Sequence, residues 1–222
     1  MDIRSQTPPL FPPPVFDDAF RAAFDELLIW RRDVRRFKRD PVAAGEIEVL
    51  LAAAHHAPSV GNSQPWRFVL VESPARRGLV RADFERCNAE ALAGYAGERA
   101  QRYASLKLAG LDNAPVQLAI FADLETPQGH GLGRRTMPET MEYSAVGAVI
   151  LLWLAARAAG IGVGWLSILD PVAIGHALET PDNWRLIAYL CIGYPADPSD
   201  VPELERAGWK ERADWRDLLI KR

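Results

Sequence analysis

Residues 144–156 read SAVGAVILLWLAA, thirteen positions without a charge, and Arg157 closes the run. A bilayer span needs about 20 apolar residues, so this stretch predicts a buried helix, extending over 141–159. A helix apolar on every side must be covered by protein all round. In a chain of 222 residues, that cover points to a subunit interface as well as a core, and so to a soluble oligomer.

The rest of the pattern builds outward from this helix. Downstream, Gly160 reads as its terminator, 162–166 (GVGWL) as a strand, and Asp170-Pro171 as an N-cap and first-turn proline for a helix to Leu178. Residues 185–192 (RLIAYLCI) form the last strong strand, and the tail from 195 to 222 is charged, with Trp209 and Trp215 as anchors. Upstream, 116–121 (VQLAIF) and 66–71 (WRFVLV) are rich in β-formers. The segment 76–108 is helical in pattern but broken at Gly94 and Gly97, as a mobile cover would be. Val42, Ile47, Leu50, Leu51 and Ala54 mark a helix ending before Pro58, and Phe16, Phe20, Phe24, Leu27 and Leu28 mark an amphipathic helix over 17–30. The strands are spread along the chain with no repeat and no linker between them. The expectation is an α+β fold, helices around a small mixed sheet, in one domain over 16–222. Five prolines among residues 1–15 make that segment an extended arm rather than a signal peptide.

Composition excludes several functions. Hydrophobic residues make up 49% of the chain, enough for a packed core. Lys and Arg number 26 against 29 Asp and Glu, a net charge of -3, so no global basic field attracts nucleic acid or an anionic membrane. Cys87 and Cys191 lie far apart, which fits two inert buried thiols in a reducing cytoplasm. The four histidines show no metal-ligand spacing, so no metal is expected. Neither 129–133 nor 160–164 has the strand-to-helix spacing of a dinucleotide fingerprint, and no phosphate loop or nucleophile elbow occurs.

Three segments carry chemistry. Arg31, Arg32, Arg35, Arg36, Lys38 and Arg39 crowd the end of the first helix, interrupted by Asp33. Such a run commonly complements a helix C-terminus, yet guanidinium groups also suit phosphate oxygens, and this cluster is local in a slightly acidic chain. Residues 58–66 (PSVGNSQPW) form either a simple turn before a strand or a loop whose hydroxyls and amides hydrogen-bond a flat polar ligand. Residues 164–167 (GWLS) end a strand where small residues and a serine would admit a ligand to the backbone.

Together these segments resemble the nitroreductase family of FMN enzymes. That family carries an Arg-Arg-Ser-x-Arg stretch, a Pro-Ser-x-x-Asn-x-Gln-Pro-Trp loop and a Gly-x-Gly segment after a long apolar helix. This chain has 31–35 (RRDVR), 58–66 and 160–167 in that order. The closer likeness is to the branch that fragments flavin, carried by RRDVR, APSVG (57–61), SLKL (105–108), WLAARA (153–158) and GVGWLSI (162–168). Asn62-Ser63 keeps the generic nitroreductase form. Asp33 is the telling difference, since an aspartate at close range repels a phosphate dianion.

The resemblance implies a nitroreductase-like fold and a homodimer with FMN at the subunit interface. It implies that reduced FMN is consumed with O2, giving 5,6-dimethylbenzimidazole, the lower ligand base of vitamin B12, and erythrose 4-phosphate. The ribityl C1′ would become C2 of the product, and a separate flavin reductase would supply reduced FMN. By the same resemblance, Arg31, Arg32 and Arg35 hold the phosphate and ribityl end, Val34 and Leu108 bind the cofactor, and Ser59, Gly61 and Gln64 contact flavin from the same or the other subunit. Asp33 would move protons, Ser167 would hydrogen-bond the reactive edge of the ring, and the segment from about 80 to Leu108 would form a lid. Two alternatives remain open: an NAD(P)H-dependent nitroreductase or flavin reductase, and a non-catalytic FMN-binding protein.

Overall fold

A computed structural model describes residues 13–105 and 110–222. Residues 1–12 of the proline-rich arm lie outside the described residues, and so does Leu108. The first helix, α1 (Asp18–Trp30), is capped by the Asp17 carboxylate, which accepts from the Phe20 N–H at 2.8 Å. It buries no residue, and Phe16, Phe20 and Phe24 stack along its outside. The amphipathic pattern read from the sequence is therefore present, but its apolar face is uncovered in a single protomer.

After an extended stretch follow α2 (Glu46–His55), a 3-10 turn (Val60–Asn62) and β1 (Trp66–Leu70). Next come α3 (Pro74–Ala93), started by the Ser73 cap and Pro74, then α4 (Gly97–Ser105) and α5 (Gly110–Asn113). The expected break falls between α3 and α4, at Gly94 and Gly97. Strand β2 (Val116–Asp123) leads through a second 3-10 turn (Gln128–Gly131) to α6 (Thr140–Ala158). The chain ends with β3 (Gly162–Leu166), α7 (Pro171–Ala177), β4 (Trp184–Gly193), α8 (Glu203–Arg206) and a 3-10 turn (Trp215–Leu218).

The sheet order is β1-β2-β4-β3, and all three ladders are antiparallel. This corrects the expectation of a mixed sheet. The seven-residue α7, about 10 Å long, is too short to carry the chain back along the sheet. Strand β4 therefore enters where β3 left, pairing Leu166 with Tyr189 and Gly162 with Gly193. Parallel pairing survives only as an isolated bridge between Asp33 and Val163 among the described residues.

Helices cover both faces of the sheet. Leu118, Ile120, Leu190 and Ile192 point into one core with Leu50, Ala148, Val149 and Leu152 of α2 and α6. Their neighbours Ala119, Phe121 and Tyr189 point into a second core with Val80 of α3 and Ile174 of α7. Strand alternation thus serves two apolar layers, which is why β2 has lost the polar-out pattern of a half-exposed strand. At its centre the Tyr189 hydroxyl donates to Gln117 Oε1 at 2.6 Å.

Helix α6 is long and apolar enough to cross a membrane, but it is the central core helix here, with Met141, Ala145, Val149, Leu152 and Ala156 buried. Its cover is incomplete: Tyr143 and Ile150, one helical stripe, are 60% and 39% exposed. Of the two tail tryptophans, Trp209 packs against Tyr95 and Tyr103, whereas Trp215 stays exposed under the Arg216 guanidinium. Trp215 is therefore no anchor in the protomer.

Candidate active site

The arginine-rich stretch after α1 is extended, and it lies along the edge strand β3. The Val34 N–H donates to the Val163 carbonyl at 3.0 Å, and the Trp165 N–H donates to Asp33 Oδ1 at 2.8 Å. This approach depends on glycine. A Cβ at Gly164 would overlap the Val34 carbonyl oxygen, and one at Gly162 would come within 2.8 Å of Val34 Cγ2. The expectation for 164–167 is that small residues admit a ligand; at Gly164 the chain's own Val34 fills the space instead, as it does at Gly162.

Asp33 thereby faces two cavities. The larger, about 550 Å³ with its open mouth, is lined among others by Arg32, Asp33, Arg35, Trp153 and Arg157. The smaller, about 260 Å³, is bounded by Asp33, Arg35, Gly110, Gly164, Leu166 and Cys191. The Asp33 side chain keeps 37% of its surface accessible through the cavity mouths, while Arg35 keeps 12%. Protein packed around the carboxyl still pushes its pKa above the ordinary value, against the pull of the Trp165 N–H and of Arg35. Arg35 Nε stands 3.5 Å from Asp33 Oδ2, too far for a hydrogen bond, and is buried without an acceptor.

The other cations divide into two groups. Arg36 pairs with Asp197 at 3.1 Å, and Arg39 donates to Asn113 Oδ1, so both are used by the fold. Arg31 lies 4.8 Å from the centre of the Trp153 ring. Arg32 Nε donates to the Asp200 carbonyl at 2.6 Å. Burial lowers the pKa of both, and the charge of Arg212, from the tail, lowers them further. Sequence reasoning gave the tail no part in this cluster, because a charged tail carries no periodic signal. It also missed Trp153, which looked like one more core residue in an apolar run. Trp153 is 6% exposed, and its indole N–H has no acceptor.

The loop 58–65 is built as tightly. Ser59 Oγ accepts from the Gln64 N–H at 3.0 Å, and Gln64 Nε2 donates to Asn62 Oδ1 at 3.0 Å. Gly61 has φ +55, and a Cβ there would meet the Leu132 carbonyl oxygen at 2.6 Å. The Val60 N–H donates to Ser144 Oγ at 3.0 Å, which ties the loop to the N-terminal half of α6. Arg31 rests on Trp153, nine residues along the same helix, a rise of about 14 Å. Ser59, Gly61 and Gln64 line neither cavity that Asp33 faces. The chain thus brings Arg32, Asp33, Val34 and Arg35 to the larger cavity, with Arg31 resting on Trp153 of the same lining, and leaves the loop apart. Ser167 is exposed directly after Leu166, at the rim of the smaller cavity.

Converging guanidinium groups, with buried Arg35 and Trp153 N–H donors lacking acceptors, fit an anionic ligand rich in oxygen. An FMN phosphate and ribityl chain meet that description. An arginine-rich segment on the edge of an antiparallel sheet with helices on both faces frames this site, and the chain belongs to the nitroreductase family, whose model matches residues 28–194. It is 57% identical over 199 residues to the 5,6-dimethylbenzimidazole synthase of Rhodospirillum rubrum, covering 90% of this chain and 94% of that one. It is 49% identical over 196 residues to the enzyme of the same name from Rhodobacter capsulatus, covering 88% and 95%. Among solved structures, iodotyrosine deiodinase bound to FMN and 3-iodo-L-tyrosine superposes with a TM-score of 0.69 at 26% identity, covering 89% of this chain and 97% of that one.

Proposed function

We propose that this chain makes 5,6-dimethylbenzimidazole from reduced FMN and O2, releasing erythrose 4-phosphate. Asp33 carries the reading: a carboxylate stands among phosphate-type arginines, fixed by the Trp165 N–H and Arg35. The likeness to the two bacterial synthases over about nine-tenths of the chain supports it. Reduced FMN is the substrate, and when bound it supplies both the electrons for O2 and the carbon skeleton of the product.

The chain's own groups divide the work. Arg31 and Arg32 bind the phosphate, and Arg35, with its unused Nε–H, reaches the ribityl end. Val34 holds this segment on β3 through its backbone. Asp33, whose burial keeps its proton to a higher pH than an ordinary carboxyl, takes and returns protons beside the ribityl chain. Ser167 hydrogen-bonds the reactive edge of the ring. Leu108 and the α3–α4 segment form the lid that keeps water and nicotinamide out.

Ser59, Gly61 and Gln64 come from the partner subunit of a homodimer. The uncovered stripes of α1 and α6 are the surfaces such a dimer would bury. Residues 16–222 act as one FMN-binding unit. Two free thiols suit a cytoplasmic setting, where a separate flavin reductase would supply reduced FMN. The test is incubation of the purified protein with chemically reduced FMN in air, followed by chromatography and mass spectrometry. Dimethylbenzimidazole is the expected product. Intact FMN alone, with rapid bleaching of bound flavin by NADPH, would instead establish a reductase.

A further inference from the structure

The glycine-rich segment 129–133 and Arg67 have no part in the proposed chemistry, yet both grip the loop 59–64. That loop is held in an unusual shape: Gly61, Asn62 and Gln64 all have left-handed backbones, with φ of 55°, 54° and 44°. Asn tolerates this conformation better than Gln does. Such strain persists only where surrounding contacts over-determine it. Those contacts come from the second 3-10 turn and its flanks. A Cβ at Gly129 would stand 2.5 Å from the Gly61 carbonyl oxygen and 3.1 Å from the Ser63 Cα. One at Gly133 would stand 2.7 Å from Val60 Cγ2.

Arg67, on β1, fastens the far end of the loop. Its Nη1 donates to the Gln64 and Trp66 carbonyls at 3.1 and 2.9 Å. Its Nη2 donates to Asp123 Oδ2 at 2.7 Å and to Thr126 Oγ1 at 3.3 Å. Asp123 is itself fixed: its Oδ1 accepts from Asn183 Nδ2 at 2.8 Å, and its N–H donates to the Pro65 carbonyl at 2.8 Å. Arg134 Nη1 donates to the Thr126 carbonyl at 3.0 Å, which ties the far side of the glycine-rich turn to the same network. One guanidinium thus joins the end of the loop to the start of the segment packed against it. A lysine could keep the ion pair with Asp123 but not the planar fork that serves the carbonyls as well.

We propose that the glycine-rich segment is a clamp and Arg67 its positioning residue, together holding the loop 59–64 in its flavin-binding shape before flavin arrives. This rests on the reading that Ser59, Gly61 and Gln64 contact flavin. A loop that adopts that shape only about a tenth of the time would weaken apparent affinity about tenfold. The clamp therefore acts on binding by preorganising the free protein, without touching the ligand itself.

Gly129→Ala and Gly131→Ala separate the clamp from ordinary backbone strain. Both positions have positive φ, +79 and +76, but a Cβ at Gly131 meets nothing closer than Arg134 Nε at 3.5 Å. The experiment measures melting temperature, hydrogen exchange in 58–65 of the flavin-free protein, and the dissociation constant of oxidised FMN by fluorescence quenching. It compares the wild type with these two variants and with Arg67→Lys, which carries the test where Gly129→Ala does not fold. Gly129→Ala and Arg67→Lys should speed exchange and weaken FMN about tenfold. Gly131→Ala should change FMN affinity less than about twofold. Wild-type exchange and affinity in a folded Gly129→Ala overturn the clamp, and the same result in Arg67→Lys overturns the role of Arg67, whatever the melting temperature. Equal weakening by Gly129→Ala and Gly131→Ala also refutes the proposal, since backbone strain and not contact with the loop would be the cause. Faster exchange with unchanged FMN affinity overturns the flavin contacts of the loop beneath it.

Discussion

Replacing Gly164 by alanine should remove the site as well as part of the stability. The added methyl would overlap the Val34 carbonyl oxygen, so the extended segment must lift off β3. Two hydrogen bonds go with it, Val34 N–H to the Val163 carbonyl at 3.0 Å and Trp165 N–H to Asp33 Oδ1 at 2.8 Å. The first contributes about 1 kcal/mol and the second, to a charged acceptor, about 2 kcal/mol. A loss of about 3 kcal/mol lowers the melting temperature of a domain this size by roughly 6–12 °C. FMN affinity should fall too, because Arg31, Arg32 and Arg35 move with the segment. Circular dichroism melting and a flavin titration read the two effects. Gly78, exposed within α3 with open space around it, is the control: Gly78→Ala should stabilise by up to about 1 kcal/mol and leave binding unchanged. A Gly164→Ala protein that melts within about 1 °C of the wild type and binds FMN normally would refute this account of the segment.

Other outcomes follow from single contacts. Asp33→Asn should keep FMN binding but lower product formation roughly 100-fold or more, and a wild-type rate would remove Asp33 from the chemistry. The raised pKa of Asp33 also has a thermodynamic signature. Between the ordinary carboxylate value and the raised one, the native state holds more protons than the unfolded state. Wild-type stability relative to Asp33→Asn should therefore fall as pH rises through that window and level off above it. Melting temperatures of both proteins measured across that pH range check the sign. Ser144→Ala leaves the Val60 N–H without its acceptor, costing about 1–3 kcal/mol and speeding hydrogen exchange in 58–65. Burial pushes the Cys191 thiol up to about 12, while Cys87 is partly exposed with a smaller upward shift. A thiol reagent at mildly alkaline pH should therefore label Cys87 slowly in the native protein and both thiols after denaturation.

Much of this molecule is legible in local pattern. The uncharged run at 144–156 announced the core helix, and the strands were visible as β-rich clusters between glycines and prolines. Pairing direction was not, because it follows from how far each connection carries the chain, and a short α7 cannot be told from a longer crossover by periodicity. The segment at 31–35 was recognisable by its residue types, yet its extended shape depends on Gly162 and Gly164, about 130 residues away. No local signal links them. The apolar stripe of α1 is legible as a helix face, but nothing local in the sequence says that the chain's own core leaves it exposed.

The most direct test follows the carbon. Reduced FMN labelled with 13C at the ribityl C1′ is mixed with the protein in air, and flavin loss is compared with product formed. Each FMN lost should appear as one dimethylbenzimidazole carrying the label at C2. Flavin recovered intact after reoxidation, or a benzimidazole without the label, would contradict it.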